Sequence, residues 1–518
     1  MSPMGQASRV HEKRACACKA ACFSTTHRAL TDELMVAAQT TLLVGRGVYA
    51  LALARLLRQH QPDMRLLLAT TDPDDWAGAS RHISQVHVLP RPDRPSEHDT
   101  STWQTQLLEL LHAYRPSLVL PVGEEGLYAA EAHATGAWPA GCVLALPPLP
   151  TLRALHDKLA FYEVLRRAGV KTPHTRAYAP GMSPPGHAVV LKPVFSRGGM
   201  CAVLWRPGEA WPPTALRSVV AGEDCEGRHW LVQTFVEGTP LSTFAVLRAG
   251  ANGGGGGGGG WCVAALVSYA CELCVGQLAP PSETGGSSAA LQGFASLRCS
   301  VRSGPAEAAT SAVAALLRND AADAAAPAWL PPVLLGLDFV VEEGSGAVYC
   351  LECNPRATNG VGLLGAHAPA AMAAAAALIG PAEPPAPRAP PEAVVAPAGL
   401  VVRTSLAALS AVAGVGWRGL LAAPRLAAAH DDMVLASDPR PAAALLLAVL
   451  RAALAHCAAR LAARGKALLS RLCAAASGRS SHHAGLKLPP PPPRLGEQLK
   501  ARLAAAVVTW PPEQIVKT

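Results

Sequence analysis

The chain has 518 residues, half of them hydrophobic, so it is long enough to bury the cores of two or three domains. Its net charge of +8 comes with only 16% charged residues, and no segment interleaves Lys or Arg with aromatic residues, which argues against nucleic-acid binding. The longest uncharged stretch is alanine-rich and carries Pro, Gly and His, unlike a membrane span. The composition predicts a soluble multidomain protein without nucleic-acid or membrane partners.

Residues 1–39 form a basic leader. The first part of it carries several Arg and Lys residues against a single acid, Glu12, and has no secretory apolar core. This composition fits an organelle transit peptide and an ordinary basic tail equally well. We expect the protein in the cytoplasm, or in a chloroplast or mitochondrion if the leader is a transit peptide.

Residues 40–148 alternate short apolar strands with segments of helical period. The stretch TTLLVGRGVYALALARLLRQ reads as a strand, a glycine turn and a helix, and RLLLATTD, HVLP and SLVLPV follow as further strands. Such alternation predicts an open parallel α/β sheet covered on both faces. Gly45, Gly47 and Ala50, with Asp72 after the next strand, match a weak dinucleotide fingerprint, although a tight turn that lets helix and strand pack closely explains them better.

Residues 149–380 open on an amphipathic helix and continue as strands joined by hairpin-like turns, which predicts an α+β region with antiparallel sheets. Eight consecutive glycines, Gly253 to Gly260, fall between two of these strands. Beyond them we predict a Pro/Ala-rich linker at 381–398, a helical region at 399–476 and a low-complexity tail at 477–518.

Fourteen cysteines in a chain of this length do not form a dense disulfide framework. Two CxxC pairs, Cys271 with Cys274 and Cys350 with Cys353, lie in strand-like runs. Because residues three apart on a strand face opposite sides, neither pair can share a metal without a turn. The pattern predicts unbridged thiols in a reducing compartment.

The segments LLGLDFVV and AVYCLECNPR, joined by EEGSG, carry the strongest chemical signal. Alternation on a strand puts Glu352 and Asn354 on one face, and a hairpin turn near Ser345 sets Asp338 opposite Glu352. Two carboxylates and a carboxamide so placed suit Mg²⁺, with the Arg356 guanidinium beyond them for a phosphate. Taken alone, a solvated acidic hairpin explains the same residues about as well.

Other residues of the region supply what a nucleotide triphosphate requires. Lys192 ends an apolar strand, and Lys158 follows Asp157 at the start of a helix. The turn formed by Ser196, Arg197, Gly198 and Gly199 could close its backbone N–H groups over phosphates.

The sequence resembles the ATP-grasp superfamily, which includes carboxylate-amine ligases and carbamoyl-phosphate-synthase-like enzymes. The resemblance rests on the order of five segments along the chain: the Asp-Lys helix with its GVKTP, the VLKP strand, the SRGG loop, the VQTFVEG segment and the DF…LECNPR hairpin. The resemblance spans roughly Thr40 to Leu364. It implies a parallel α/β domain followed by an ATP-grasp fold of two α+β subdomains, with a helical region behind it.

By the same resemblance the protein is an ATP-dependent, carbon–nitrogen bond-forming ligase that phosphorylates a small-molecule carboxylate and lets an amine or similar nucleophile displace the phosphate. ATP and Mg²⁺, or Mn²⁺, are the implied cofactors. The implied phosphate-binding residues are Lys158, Lys192 and the loop Ser196, Arg197, Gly198 and Gly199. Gln233 is an implied nucleotide contact, and backbone groups near Phe235 and Val236 would hold the adenine. The implied metal ligands are Asp338, Glu352 and Asn354, and the implied catalytic residues are Arg356, for the transferring phosphoryl group, and Lys192.

Two positions depart from the pattern of the family. Thr234 follows Gln233 where an acid is usual, and Pro240 stands where a ribose-binding acid is common. These departures are the hints for one alternative, a non-catalytic ATP-binding regulatory protein. A small-molecule kinase of the same fold and a nicotinamide-dependent oxidoreductase using the Gly45 turn are further alternatives. Glu124 and Glu125 are possible substrate contacts, although a solvated helix start explains them better.

Overall fold

The structure is a computed structural model. It describes residues 39–90, 97–195, 202–211, 230–249, 261–278, 290–302, 304–323, 331–379, 394–396, 401–403, 430–431, 438 and 440. The predicted leader, the glycine run, nearly all of the predicted linker and C-terminal helical region, and the tail lie outside these residues. The domain boundaries proposed from the sequence stay predictions.

The first part of the chain forms a five-stranded sheet in which every neighbouring pair is parallel, as predicted. Its strand order is β3-β2-β1-β4-β5. The strands are β1 Thr40–Val44, β2 Arg65–Thr70, β3 Gln85–Val88, β4 Leu118–Pro121 and β5 Val143–Leu144, and the helices are α1 Gly47–His60, α2 Glu97–Tyr114 and α3 Glu125–Ala134.

Helices cover both faces of this sheet because its strands are apolar on both sides. Leu43 packs with residues of α1, such as Leu51, in one buried cluster. Its neighbours Leu42 and Val44 pack on the opposite face with Trp103 of α2. Alternate residues of β1 therefore pack in two separate cores, and this is why the sequence of β1 is an unbroken apolar run.

The second part forms a twelve-stranded sheet whose main path has the order β14-β13-β10-β11-β12-β8-β7-β9-β6. All pairs along this path are antiparallel, as predicted. The elements are α4 Leu149–His156, α5 Lys158–Arg167, β6 Thr175–Ala177, β7 Val189–Pro193, β8 Ala202–Trp205, β9 Trp230–Thr234, β10 Gly238–Ala249, β11 Trp261–Leu278, β12 Ala290–Val301, α6 Ala306–Asp323, β13 Val333–Glu342, β14 Val348–Asn354, α7 Gly360–Gly365, α8 Ala368–Ile379, β15 Val394–Val395, β16 Val401–Arg403 and β17 His430–Asp431.

The central strands of this sheet separate two cores. Phe244 and Val246 of β10 pack on the face covered by α7 and α8, in a cluster that also contains α1 of the first domain. Ala245 and Leu247 pack on the other face against α5 and α6. The first domain and the α7–α8 side of the large sheet thus share one continuous core.

One sequence prediction about the cysteines is wrong. Cys350 and Cys353 do not face opposite sides of β14, because both lie buried in the cluster formed with α5 and α6. The pairing of β13 with β14 shifts register between Asp338 and Phe339, so the segment between the two cysteines holds one extra residue. A bulge of this kind reverses the alternation and turns both thiols inward.

Among the helices that the structure describes, none is both long enough and apolar enough to cross a membrane. The alanine-rich stretch after the LECNPR segment contains two helices, α7 and α8, rather than one. Their buried alanines pack against the large sheet and α1.

Candidate active site

The centre of the site is the β13–β14 hairpin, which pairs Asp338 with Glu352 as predicted. Asp338 lies directly opposite Glu352, and Asn354 lies opposite Gly336. The turn between the strands places Gly344 and Gly346 at positive φ, where glycine is favoured. The hairpin therefore presents Asp338, Glu352 and Asn354 together on one face.

Asp338 is held by two hydrogen bonds. Ser242 on β10 donates its hydroxyl to one carboxylate oxygen at 2.7 Å, and the Asn354 side-chain amide donates to the other at 2.8 Å. Burial, followed by the negative charge of Glu352, raises the pKa of Asp338 to about 6. Both causes raise the free energy of the ionised form of Asp338 unless a cation lies beside it.

Glu352 faces two ammonium groups. Its Oε2 atom lies 3.5 Å from Lys192 Nζ and 3.6 Å from Lys158 Nζ. Burial opposes ionisation of Glu352, but the two lysines outweigh it and hold the pKa of Glu352 below its ordinary value. The carboxylate therefore stays ionised and ties together residues from three elements.

Lys158 is positioned by the helix that it begins. The Asp157 carboxylate caps α5 by accepting the N–H groups of Leu159 and Ala160 at 2.8 and 3.0 Å. The Lys158 ammonium also donates to the Val194 carbonyl at 3.4 Å. Only 7% of Lys158 is exposed, and this burial, opposed by Glu352, lowers its pKa. Asp157 is thus the N-cap of α5, and Lys158, the next residue, is a buried cation.

Lys192 and Gln233 lie on one face of the β7–β9 pair. Lys192 is opposite Leu231 and Val190 is opposite Gln233, so all four side chains point to the same side. The other side of these strands is a separate apolar core built on Trp205 and its neighbours. The face carrying Lys192 is therefore the one that meets the hairpin.

The side-chain amide of Gln233 donates to the Thr175 hydroxyl at 3.0 Å, and Gln233 is buried. Phe235 and Val236 form part of the short connection between β9 and β10. The Phe235 N–H donates to the Ala188 carbonyl at 3.0 Å. Among the described residues, Val236 has no backbone hydrogen-bond partner, which makes it the better placed of the two for an adenine edge.

Arg356 connects the hairpin with the first domain. Its Nη2 donates to the Asn354 side-chain oxygen at 3.0 Å, and its Nη1 donates to the Ala357 carbonyl at 3.0 Å. On the other side, Arg356 Nε lies 2.9 Å from Glu124 Oε1. Glu124 stands just before α3 of the parallel sheet, so residues of both domains meet at this guanidinium.

The predicted loop residues Ser196, Arg197, Gly198 and Gly199 lie outside the described residues. The structure therefore leaves their contact with phosphates as a prediction.

The Gly45 turn has the features of close packing. A Cβ on Gly45 would stand 2.3 Å from a methyl carbon of Val122. The Gly47 N–H, at the start of α1, points to the Asp75 carboxylate at 3.2 Å. A protein carboxylate thus takes the place where a dinucleotide phosphate would bind, which favours the tight-turn interpretation.

Sequence reasoning missed several residues around the site. Ser242 supports Asp338 from a strand almost one hundred positions earlier, and the Tyr49 hydroxyl donates to the Asn359 side chain at 3.4 Å across the two domains. Burial lowers the pKa of His156, at the end of α4, to about 4. The negative charge of Glu124 raises this pKa, and the positive charges of Arg356 and Lys158 lower it further. His156 is therefore neutral at pH 7, and no local pattern distinguishes it from a surface histidine.

The donor set of the hairpin fits a hard divalent cation. Asp338, Glu352 and Asn354 offer carboxylate and carboxamide oxygens, the ligands that Mg²⁺ and Mn²⁺ accept. A cation between the acids would remove the repulsion that raises the pKa of Asp338. Among the described residues, no group of three or more His, Cys, Asp or Glu side chains could hold a metal ion; the hairpin has two such acids, with the Asn354 carboxamide as the third oxygen donor.

Comparison with known proteins confirms the resemblance to the ATP-grasp superfamily. Residues 155–252 match the family model of the ATP-grasp domain, from the end of α4 past the end of β10. No curated protein sequence is similar enough to match the chain.

Solved structures with a similar fold include an L-amino acid ligase from Bacillus licheniformis, at 12% identity and a TM-score of 0.42, covering 63% of this chain and 69% of that one. An N5-carboxyaminoimidazole synthetase from Staphylococcus aureus, solved with ADP, has 12% identity, a TM-score of 0.43 and coverages of 67% and 78%. A biotin carboxylase from Campylobacter jejuni has 13% identity, a TM-score of 0.44 and coverages of 67% and 72%. Because these TM-scores are below 0.5, the resemblance to the ATP-grasp superfamily rests on the match of residues 155–252 to the family model.

Proposed function

We propose that this chain, whose residues 155–252 belong to an ATP-grasp domain, is an ATP- and Mg²⁺-dependent ligase. It forms an acyl phosphate from a small-molecule carboxylate and couples the acyl group to an amine or a similar nucleophile. The observation that carries the proposal is the meeting of Lys158 and Lys192, both buried, with the Asp338 and Glu352 pair. Two buried cations beside two acids suit a polyphosphate with its metal ion.

The two lysines bind the phosphates of ATP. Each ammonium is desolvated, and charged groups in such a site act more strongly on a phosphate than they do in water. Glu352 keeps both ammonium groups in place before the nucleotide arrives. The face that carries Lys192 also carries Gln233. The β9–β10 connection follows it, and the backbone of Val236 there would contact the adenine.

Asp338, Glu352 and Asn354 would hold the divalent cation. When bound, Mg²⁺ neutralises charge on the phosphate oxygens and orients them for transfer. The Ser242 hydroxyl fixes the Asp338 carboxylate from behind, so that its oxygens keep one direction. Positioning and charge are the main contributions that phosphoryl transfer requires of a protein.

The chemistry proceeds in two displacements. A carboxylate oxygen of the substrate attacks the γ-phosphorus of ATP, the bond from that phosphorus to the bridging oxygen breaks, and ADP leaves. The nitrogen of the amine then attacks the acyl carbon, phosphate leaves, and the nitrogen loses a proton. Arg356, fixed between Asn354 and Glu124, stabilises the negative charge of the transferring phosphoryl group.

Capture of the intermediate tests this function. Full-length protein is incubated with ATP, Mg²⁺, hydroxylamine and pooled small carboxylic acids, and the products are analysed by mass spectrometry. We expect a hydroxamate together with ADP and phosphate, since hydroxylamine traps an acyl phosphate. The mass of the hydroxamate narrows the identity of the acid.

The other outcomes separate the alternatives. A phosphorylated product without hydroxamate identifies a kinase, and ATP binding without ADP release across a broad pool identifies a regulatory protein. Binding of NAD(P) without binding of ATP would overturn the proposal.

A further inference from the structure

Two cysteines of neighbouring strands stand directly opposite each other in the large sheet. Cys271 on β11 pairs with Cys299 on β12, and their sulfur atoms are 3.6 Å apart. Opposed residues of antiparallel strands have Cα atoms about 4.5 to 5.5 Å apart, which lies within the range that a disulfide bridges. The sulfurs need to approach by only about 1.5 Å to reach bonding distance.

The two thiols differ in their access to solvent. Cys299 is 5% exposed, while Cys271 is only partly buried at the edge of the cluster beneath α7 and α8. The pairing of the strands shifts register immediately after Cys271. An irregularity at this point gives the backbone local freedom to adjust to a bond between the side chains.

The cysteine pair lies on the same face of the sheet as the metal-binding acids. Ser242 is opposite Asp338 on one side and opposite Tyr269 on the other, so Glu352, Asp338, Ser242 and Tyr269 form one row across four strands. Cys271 follows Tyr269 by two residues on the same side of β11, about 6.7 Å along the strand. A bond at Cys271 would therefore restrain β11, which lies in the same sheet as the hairpin and is separated from it by β10.

We propose that Cys271 and Cys299 form a reversible disulfide when the protein meets an oxidising thiol–disulfide pool. The site is independent of the ligase function proposed above. It differs from both CxxC pairs of the sequence, because its members are separated by 28 positions and meet only through the pairing of β11 with β12.

The reaction is a two-step exchange with an external disulfide such as glutathione disulfide. The Cys271 thiolate, after loss of its proton, attacks one glutathione sulfur and expels one glutathione thiolate. The Cys299 thiolate then attacks the Cys271 sulfur of the mixed disulfide and expels the second glutathione. Two protein thiols are oxidised, and one external disulfide is reduced to two thiols.

The test equilibrates native full-length protein in oxidised and reduced glutathione, blocks remaining thiols by alkylation, and maps the peptides by mass spectrometry. We expect a peptide pair joined through Cys271 and Cys299, absent in reduced glutathione and lost again on addition of dithiothreitol. The joined protein should melt several degrees higher, because the cross-link restricts the unfolded chain.

Matched variants locate the bond. Cys262→Ser removes another partly buried cysteine of β11, which lies opposite Arg248 rather than a cysteine, and it should leave the cross-link intact. Cys299→Ala should abolish the cross-link and leave a glutathione adduct on Cys271. If Cys299→Ala does not fold, Cys271→Ala serves, with loss of both the cross-link and the adduct as the expected result.

If Cys271 and Cys299 are both alkylated after equilibration in fully oxidising buffer, their thiols remain unlinked, and the proposal is overturned. A link from Cys271 to any other cysteine, or a link that forms only in denaturant, would also overturn it. A cross-link that leaves the melting temperature unchanged or lowers it would show that the native strands do not accommodate the bond.

Discussion

The Arg356 guanidinium and the Glu124 carboxylate form an ion pair, with Nε and Oε1 2.9 Å apart, that joins the β13–β14 hairpin to the parallel-sheet domain. Only 12% of the Arg356 side chain is exposed, against 33% for Glu124. Because Arg356 also donates to Asn354, the position of this proposed metal ligand depends on a residue of the other domain. The first domain thus completes the site.

Replacement of Glu124 tests this coupling. Glu124→Gln removes the negative charge next to Arg356, so we expect kcat for the acid substrate to fall about tenfold, an effect of about 1.4 kcal/mol. The KM for ATP should change little, because the phosphate-binding lysines lie elsewhere in the site. Steady-state kinetics with each substrate varied in turn measure both quantities.

A matched control is available on α3 in the same domain. Glu131 pairs with Arg153 at the same 2.9 Å, but the Arg153 side chain is 57% exposed. Exposed pairs of this kind contribute little, so Glu131→Gln should leave kcat unchanged. Equal losses in both variants would mean that Glu124 has no specific role.

Glu352→Gln should abolish Mg²⁺-dependent ATP turnover. The variant loses a metal ligand and leaves the Lys158 and Lys192 ammonium groups without their shared counter-charge. We expect an unchanged circular-dichroism spectrum, a lower melting temperature and no ADP release. Glu342→Gln, at the exposed end of the same hairpin, is the control and should turn over normally. Normal turnover by Glu352→Gln would falsify the metal assignment.

Lys192→Ala should raise the KM for ATP and lower kcat together. A phosphate contact strengthens as charge moves in the transition state, so its loss affects both constants, with about a hundredfold fall in kcat/KM. Lys171→Ala removes an exposed lysine and should change neither constant. If the two variants behave alike, Lys192 does not bind phosphate.

Local rules predict the hairpin and its pairing of Asp338 with Glu352, and the structure has both. The pairs nearest the turn have a register that would put Asp338 opposite Leu351, and the extra residue in β14 brings Glu352 into that place. The extra residue between Cys350 and Cys353 could not be predicted, since a bulge depends on how both faces pack.

Contacts between distant segments were beyond local patterns. Lys192 and Glu352 are 160 positions apart, on strands that are six places apart in the order of the large sheet, yet Lys192 Nζ lies 3.5 Å from Glu352 Oε2. Glu124 looked like an ordinary helix start, and only the docking of the first domain on the hairpin shows its contact with Arg356. In both cases the contact depends on the topology of the fold and not on the spacing of the two residues in the sequence.

Asp438 anchors a C-terminal position to the first domain through a buried ion pair, and its contribution to stability should depend on pH. Arg55 of α1 lies 3.2 Å from the Asp438 carboxylate, which also accepts the Ser80 hydroxyl at 2.6 Å and the Arg81 N–H at 3.1 Å. Burial opposes ionisation, but these donors outweigh it and hold the pKa of Asp438 below its ordinary value of 3.8. Because the folded state has the lower pKa, the stabilisation is present above the unfolded value and is lost as the pH falls through the folded one.

We therefore expect Asp438→Asn to lower the melting temperature at pH 7, since the Arg55 guanidinium stays buried without its counter-charge. The difference from the wild type should shrink steadily as the pH falls below about 4, where the wild-type carboxylate also takes up a proton. Differential scanning calorimetry of both proteins from pH 7 to about pH 3 measures it. Asp74→Asn, which replaces a carboxylate at an exposed position of the same domain, is the control and should differ little from the wild type at any pH. A difference between Asp438→Asn and the wild type that stays constant across this range would mean that the Asp438 charge does not stabilise the fold.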